Sequence, residues 1–182
     1  QMGNDFLNKI SSDITPSIIV TDPEEMAPFL TDWRGNFTGT AKAILMPTDT
    51  NMVSKIMQIA HEQNQVVVPQ GGNTGLVGGG IPDSSGKSII LSLQKMNHII
   101  DFSSDNRTIT VEAGCILQNI HELVEAENLY FPLSLAAKGS CTIGGNLATN
   151  AGGINVLRYG TMREQCLGIE VVLADGTIIN QL

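Results

Sequence analysis

Two glycine-rich segments constrain this chain more than any other feature of its sequence. They are residues 69–80 (PQGGNTGLVGGG) and residues 138–153 (KGSCTIGGNLATNAGG). Together they hold more than half of the 19 glycines, interleaved with Asn, Thr and Ser. Such segments cannot form a hydrophobic core, but glycine lets backbone amides come very close to a ligand. Because successive amides in such turns form concave anion sites, both segments predict contact with phosphate.

The length and charge of the chain limit its classes of function. At 182 residues it fits one domain, or two small lobes that share a ligand. The net charge is −8 and no basic stripe is present, which argues against a nucleic-acid partner. The apolar runs are too short to cross a membrane, so no membrane span is predicted. The three cysteines lack metal-ligand spacing, which favours reduced thiols and predicts no metal site.

The apolar pattern predicts an α+β fold with two lobes. Residues 1–40 are a lead-in of mixed character. Residues 41–100 predict a small βαβ lobe, with a strand ending at Pro47, a helix marked by the stripe Val53, Ile56, Met57 and Ala60, and further strands. The run Val66-Val67-Val68 is apolar on both faces and predicts a buried parallel strand.

Residues 101–182 predict the second lobe, a mostly antiparallel sheet flanked by helices. Two strands surround a polar turn at 103–106, and a helix runs from 116 to about 128. The dipeptide Asp175-Gly176 predicts a hairpin near the end of the chain. Because the chain stops soon after the return strand begins, we expect it to be a fragment of a longer protein.

Common catalytic and nucleotide motifs are not found. The spacing Gly-x-Gly-x-x-Gly occurs nowhere, and Gly86-Lys87-Ser88 lacks the earlier glycine of a P-loop because position 81 is Ile81. The histidines are scattered, and no side chain stands out as a general base. Thr142, in contrast, is predicted to cap a short helix over 144–149, whose N-terminal amides would attract phosphate.

With Val68, the first segment resembles the pyrophosphate loop of FAD-linked oxidases of the vanillyl-alcohol oxidase/p-cresol methylhydroxylase type. Phe131-Pro132-Leu133, followed by the second segment, resembles the second flavin segment of that family. The residues of these two motifs are most similar to those of the D-2-hydroxyacid dehydrogenase branch. This branch includes D-2-hydroxyglutarate dehydrogenase, D-lactate dehydrogenase and the flavin subunit of glycolate oxidase. The resemblance runs from about residue 41 to the end of the chain.

The resemblance implies a two-lobed FAD-binding domain. Some relatives attach FAD through a histidine in the first loop, where this chain has Asn73, so we expect non-covalent FAD. The residues that the resemblance assigns to the cofactor are Pro69, Gly71, Gly72, Asn73, Thr74, Gly75, Leu76, Pro132, Gly139, Ser140, Thr142, Gly145, Asn146, Thr149, Asn150, Gly152, Gly168 and Ile169.

The implied reaction oxidises a small D-2-hydroxy acid to a 2-oxo acid by hydride transfer to flavin N5. The family carries its base and substrate-binding residues in a later domain, so we expect this fragment alone to be inactive, and the electron acceptor is left open. Two alternatives stay open: a non-catalytic FAD-binding subunit, and an enzyme like UDP-N-acetylenolpyruvoylglucosamine reductase. The predicted location is the cytoplasm, or the mitochondrial matrix if a leader has been trimmed.

Overall fold

The computed structural model of the protein describes residues 5–182, so the first four residues of the predicted lead-in lie outside the described residues. Its strands are β1 (Ile19–Val20), β2 (Ala41–Leu45), β3 (Val67–Gln70), β4 (Ser88–Ser92), β5 (Ile99–Ser103), β6 (Thr108–Val111), β7 (Glu170–Val172) and β8 (Ile178–Asn180). Its α-helices are α1 (Asp5–Asp13), α2 (Pro23–Met26), α3 (Thr50–Glu62), α4 (Leu117–Ala126), α5 (Ile143–Ala148), α6 (Val156–Tyr159) and α7 (Met162–Gln165). Short 3₁₀-helices lie at Pro16–Ile18 and Ala27–Phe29. This mixture confirms the predicted α+β class.

The α-helices are short. The longest, α3, has 13 residues. A bilayer span needs about 20 predominantly apolar residues. Across residues 5–182, therefore, the structure contains no helix long and apolar enough to cross a membrane.

The chain forms two compact units, and each combines separate stretches of sequence. Unit 1 contains the described residues up to Gln70, together with Gly75–Leu93 and Gly168–Leu182. Unit 2 contains Gly71–Thr74 and Gln94–Leu167. The predicted lobes are contiguous in sequence, whereas these units are not, because long-range hydrogen bonds tie the C-terminal hairpin to α3.

Unit 1 is built on a four-stranded sheet in the order β1-β2-β4-β3. The central strand β4 pairs in parallel with both β2 and β3, and β1 pairs antiparallel with β2. All five residues of β4 are buried. The βαβ arrangement is as predicted, whereas β1 lies in the segment that the sequence left as a lead-in. A two-residue strand is too short to show a periodic pattern.

Helix α3 confirms the predicted helix of the first lobe. Asp49 caps it, and its carboxylate accepts a hydrogen bond from the Met52 amide at 2.8 Å. The buried side of α3 carries Val53, Ile56, Ile59 and Ala60. Three residues of the predicted stripe are therefore buried, whereas its fourth residue, Met57, is only partly buried, and the stripe did not include Ile59.

The third strand corrects one prediction. The run Val66-Val67-Val68 was expected to be a buried strand, and β3 is indeed parallel to its neighbour. However, β3 lies at the edge of the sheet, and Val66 is 56% exposed. The expectation of burial was therefore wrong: β4 inserts between β2 and β3 and takes the central position.

The C-terminal strands β7 and β8 form the antiparallel hairpin predicted at Asp175-Gly176. Gly176 has a φ of 91°, a conformation that glycine adopts readily. The Ser54 hydroxyl on α3 donates a hydrogen bond to the Gly176 carbonyl, and the Thr50 hydroxyl donates to the Glu170 carboxylate at 2.6 Å. These bonds place the hairpin in unit 1.

Unit 2 contains the predicted antiparallel pair, β5 with β6, and the predicted helix α4. Its hydrophobic core is formed by residues from α4, α5, α7 and the intervening loops: Cys115, Leu117, Ile120, Val124, Leu133, Cys141, Ile143 and Met162. The second glycine segment therefore contributes Cys141 and Ile143 to a core, although the segment as a whole is poor in apolar side chains.

Candidate functional site

The first glycine segment continues from β3 as a loop over residues 71–80, and several of its backbone donors are uncommitted. The amides of Gly72, Thr74, Gly75 and Leu76 donate no hydrogen bond to any part of the chain that the structure describes. Asn73 has a φ of 54°, in the left-handed region. A residue in this conformation turns neighbouring amides toward one side, as in anion-binding backbone nests.

Gln70 holds the base of this loop, and the sequence analysis did not assign it a role. Its Nε2 donates to the carbonyls of Phe29 at 2.9 Å and Gly80 at 2.8 Å. The residue is only 3% exposed, and its Oε1 has no hydrogen-bond partner among the described residues. A signal was present in the sequence, since Gln70 is a polar residue that ends a strand directly before the glycine loop.

The second glycine segment contains helix α5, which confirms the short helix predicted over 144–149 and begins one residue earlier. The amide of Ile143 donates to the Cys115 carbonyl at 2.9 Å, and the amide of Gly144 donates to the Ala113 carbonyl at 2.8 Å. A Cβ at Gly144 would lie 2.7 Å from the Ala113 Cβ. Glycine is thus required here for close packing of backbone against backbone.

Within unit 2, residues of the two glycine segments touch. A Cβ on Gly71 would lie 2.5 Å from the Thr142 hydroxyl oxygen and 3.8 Å from the Gly145 nitrogen. A Cβ on Gly72 would overlap the Ser140 carbonyl. The structure therefore brings these five predicted site residues together, at a spacing that only side-chain-free residues allow.

Two polar side chains at the start of α5 and within it are buried in unit 2, and each has an oxygen atom that forms no hydrogen bond with the described residues. Thr142 is 2% exposed and Asn146 is 5% exposed. Among the described residues, the Thr142 Oγ1 and the Asn146 Oδ1 have no hydrogen-bond partner. Because a buried polar atom without a partner costs about 1–3 kcal/mol, such atoms indicate a ligand or water that completes the site.

The expected role of Thr142 as a helix cap was wrong. Thr142 occupies the N-cap position of α5, but its side chain makes no capping hydrogen bond. Of the two amides that a cap can satisfy, that of Gly144 already donates to the Ala113 carbonyl. The Thr142 hydroxyl is consequently left over for another partner.

The other predicted site residues of unit 2 are Pro132, Gly139, Thr149, Asn150 and Gly152. The Thr149 hydroxyl donates to the Gly145 carbonyl at 3.0 Å, and the Asn150 Oδ1 accepts from the Arg163 amide at 2.9 Å. The Pro132 carbonyl accepts from the Asn155 Nδ2 at 3.1 Å. Several of these polar groups therefore hold the chain around α5 in place.

Unit 1 contains the remaining predicted site residues, Pro69, Gly75, Leu76, Gly168 and Ile169. Pro69 is paired with Leu91 across the sheet. No atom lies within 4 Å of a Cβ built on Gly75, and Leu76 is about half exposed. The Ile169 carbonyl accepts from the Gln181 amide at 3.0 Å, while a Cβ on Gly168 would overlap the Gln181 carbonyl. Gly75 is the residue of this set with open space beside it.

The two buried thiols of unit 2 are not poised for acid–base chemistry. Burial raises the pKa of the Cys115 thiol, with a further contribution from the Glu112 carboxylate, and burial also raises the pKa of the Cys141 thiol. Both thiols are therefore neutral and unreactive near pH 7. Over residues 5–182, no cluster of three or more His, Cys, Asp or Glu side chains could hold a metal ion. Catalytic residues stay unassigned.

This fold and the paired glycine segments define a flavoprotein domain. Residues 41–181 match the family described as FAD binding domain, and the chain belongs to that family. FAD, the cofactor predicted from the sequence, is thereby confirmed. A curated relative, the mitochondrial D-2-hydroxyglutarate dehydrogenase of Bos taurus, is 47% identical over 169 residues. That match covers 93% of this chain but 31% of the relative, so the chain spans about a third of the relative's length.

Solved structures confirm the predicted fold. An alkyldihydroxyacetonephosphate synthase superposes with a TM-score of 0.86 at 18% identity, covering 98% of this chain and 35% of the other. A p-cresol methylhydroxylase superposes with a TM-score of 0.76 at 21% identity, again over 98% and 35% of the two chains. At such identities the likeness establishes the fold alone.

The residues of unit 2 fit this cofactor. Phosphate oxygens accept hydrogen bonds, and the amides of Gly72 and Thr74 and the hydroxyl of Thr142 are donors without a partner among the described residues. The unused oxygen of Asn146 is an acceptor suited to a hydroxyl group, which FAD also carries. The absence of side chains at Gly71 and Gly72 leaves the backbone accessible.

Proposed function

We propose that this chain is the FAD-binding portion of a flavin-dependent dehydrogenase that oxidises D-2-hydroxyglutarate to its 2-oxo acid. The observation that carries the proposal is the 47% identity, over 93% of the chain, to a relative named D-2-hydroxyglutarate dehydrogenase. When bound, FAD supplies the hydride acceptor, flavin N5, for the hydrogen on the substrate's C2. The activity belongs to a longer protein, because the chain spans about a third of that relative.

The role of this chain's residues is to bind and orient the cofactor. We infer that the amides of Gly72 and Thr74 and the Thr142 hydroxyl hold the diphosphate. Because the net charge of the chain is −8, attraction to an anion must come from such local dipoles rather than from the overall field. The uncommitted amides and the buried, unpartnered hydroxyl support this assignment.

The remaining predicted residues are proposed to contact the rest of the cofactor. They are Pro69, Gly71, Asn73, Gly75, Leu76, Pro132, Gly139, Ser140, Gly145, Asn146, Thr149, Asn150, Gly152, Gly168 and Ile169. Of these, Asn146 has the strongest support, because its buried Oδ1 has no partner in the described chain.

The FAD is proposed to be non-covalent. The first loop, where some relatives of the resembled family have a linking histidine, has Asn73 and no histidine in this chain, and a carboxamide is a poor nucleophile. Acid precipitation of the purified holoprotein should leave all yellow colour in the supernatant. Flavin that stays with the precipitated chain contradicts this proposal.

The full-length protein provides the test of the substrate. Under anaerobic conditions, D-2-hydroxyglutarate should bleach the flavin absorbance, whereas L-2-hydroxyglutarate should leave it unchanged. D-lactate and glycolate serve as comparisons within the same chemical class. Bleaching by NADPH alone would favour the reductase alternative, and a flavin that none of these compounds bleaches would favour a non-catalytic subunit.

The proposed location is the mitochondrial matrix. The Bos taurus relative is named as a mitochondrial protein, which favours this compartment over the cytoplasm. Cys115 and Cys141 are buried thiols that form no disulfide, which suits a reducing compartment. Fractionation of cells that express the native gene should recover the protein with matrix markers, and recovery in the cytosol would refute the assignment.

A further inference from the structure

We propose that Gln70 is a positioning residue for cofactor binding, because its side-chain amide joins the residue directly before the loop over residues 71–80 to Gly80 at the loop's end. The inference rests on the proposed binding of FAD by this loop. Gln70 itself is placed on the strand β3 and belongs to no predicted set of cofactor contacts.

The geometry of the Gln70 amide defines its role. Both hydrogens on Nε2 are used, one toward the Phe29 carbonyl at 2.9 Å and one toward the Gly80 carbonyl at 2.8 Å. The reverse orientation would place Oε1 against two carbonyl oxygens, so the donor assignment is unambiguous. At 3% exposure, water does not compete for these bonds.

The loop needs an external hydrogen bond to order it because its own residues are rich in glycine. It contains six glycines in ten residues (71, 72, 75, 78, 79 and 80). Glycine loses more conformational freedom on ordering than any other residue. Gln70 precedes the loop, and Gly80 ends it, so the bond between them closes the loop at its base. If the loop is already ordered before FAD binds, binding does not have to supply the free energy of ordering it. The affinity for FAD is correspondingly higher.

The segment just before β3 offers a matched control. The Gln65 Nε2 also donates to two carbonyls, those of Val66 at 2.9 Å and Lys87 at 2.7 Å. Its Oε1 accepts from the Lys42 ammonium at 2.9 Å. Gln65 therefore makes the same kind of hydrogen bonds two residues before β3, but none of these bonds reaches a residue of the loop.

The experiment compares Gln70→Glu with Gln65→Glu in the full-length protein. Each change keeps the shape of the side chain but replaces the two N–H donors with an oxygen that faces two carbonyls. Two quantities are measured: the dissociation constant of FAD, from fluorescence titration of the apoprotein, and the rate of thermolysin cleavage before Leu76 or Val77 without FAD. Both are compared with the wild-type protein.

We expect Gln70→Glu to raise the dissociation constant of FAD about 100-fold, because two buried hydrogen bonds are lost and each contributes roughly tenfold. Cleavage in the loop should accelerate about tenfold, in line with one such bond at Gly80. Gln65→Glu should leave both quantities within about twofold of wild type. If Gln70→Glu does not fold, Gln70→Met removes the donors without burying a charge and should give the same pattern with smaller changes.

Unchanged affinity and unchanged cleavage in a folded Gln70 variant would overturn the inference, as would equal effects of the Gln65 variant. A wild-type protein that binds no FAD refutes the proposed function instead, and it removes the link between Gln70 and the cofactor. Since the cleavage rate is measured without FAD, the two failures are distinguishable.

Discussion

The two glycine segments have similar compositions but opposite physical uses. In the segment over 138–153, most amides are already hydrogen-bonded, among them those of Ile143, Gly144 and Asn146. In the loop over 71–80, the amides of Gly72 and Thr74 to Leu76 are uncommitted. The second segment is a packed scaffold whose glycines permit close backbone contact, whereas the first has amides without a partner among the described residues, which we propose to bind the ligand.

This difference shows that a glycine-rich sequence does not by itself specify a binding loop. Gly144 is needed because the Ala113 backbone lies against it, and a Cβ would meet Ala113 at 2.7 Å. Gly75 has open space, with no atom within 4 Å of an added Cβ. The same residue type thus serves packing at one position and accessibility at the other, and single methyl groups can separate the two uses.

The largest effect is expected where both uses coincide, at Gly72. In Gly72→Ala, the new Cβ would overlap the Ser140 carbonyl, and because the clash is with a backbone atom, no change of side-chain rotamer relieves it. We expect the free energy of unfolding to fall by about 3 kcal/mol and FAD binding to be lost. Urea unfolding and flavin titration of the full-length protein measure both. In the control, Gly79→Ala, the new Cβ has no atom within 4 Å, so stability and FAD binding should match the wild-type protein. A Gly72→Ala variant that is stable and binds FAD would contradict the prediction.

A smaller effect, on binding alone, is expected at Thr142. Thr142→Val keeps the shape but removes the buried hydroxyl that lacks a partner in the described chain. We expect about tenfold weaker FAD binding, or 1.4 kcal/mol. Without FAD, the free energy of unfolding should be unchanged or higher by about 1 kcal/mol, because an unsatisfied polar group has been removed. If stability falls while FAD affinity is retained, the hydroxyl has a structural role instead.

A still smaller effect is expected at Gly75. Gly75→Ala places a methyl group in open space beside uncommitted amides, so FAD binding should weaken about threefold, or roughly 0.7 kcal/mol. Without FAD, the protein should be as stable as wild type or more stable by about 0.4–1 kcal/mol, since alanine reduces the entropy of the unfolded chain. Titration and urea unfolding again measure both quantities. Destabilisation would show that Gly75 serves packing, like Gly144.

The smallest effect concerns the pH dependence of the scaffold segment. Burial raises the pKa of the Cys141 thiol in the folded protein. The contribution of this thiol to stability is therefore complete below the unfolded pKa of about 8.5 and is lost as the pH rises through the higher folded pKa. The free energy of unfolding should fall above about pH 8.5. Above this pH, the free energy of unfolding should fall less steeply with pH in Cys141→Ala than in the wild-type protein. Equal slopes in the two proteins would show that the Cys141 thiol does not cause the decrease.

Much of the local structure could be predicted from the sequence. The stripe at Val53, Ile56 and Ala60 identified α3, and Asp175-Gly176 identified the β7–β8 hairpin, because both signals are local. The edge position of β3 could not be predicted, since it depends on β4 entering the sheet between β2 and β3. The role of Gln70 depends on the Phe29 carbonyl, 41 residues away in the chain.

The sequence by itself determined the class of fold, the two glycine segments and, through their resemblance to a family, the cofactor. These follow from periodicity and residue type, which are properties of short stretches of chain. The tertiary structure decided which glycines are packed and which are open, and it left the Thr142 hydroxyl buried without a partner among the described residues. The physical reason is that close approach and hydrogen-bond satisfaction depend on residues far apart in sequence, whose positions are fixed only when the whole chain folds.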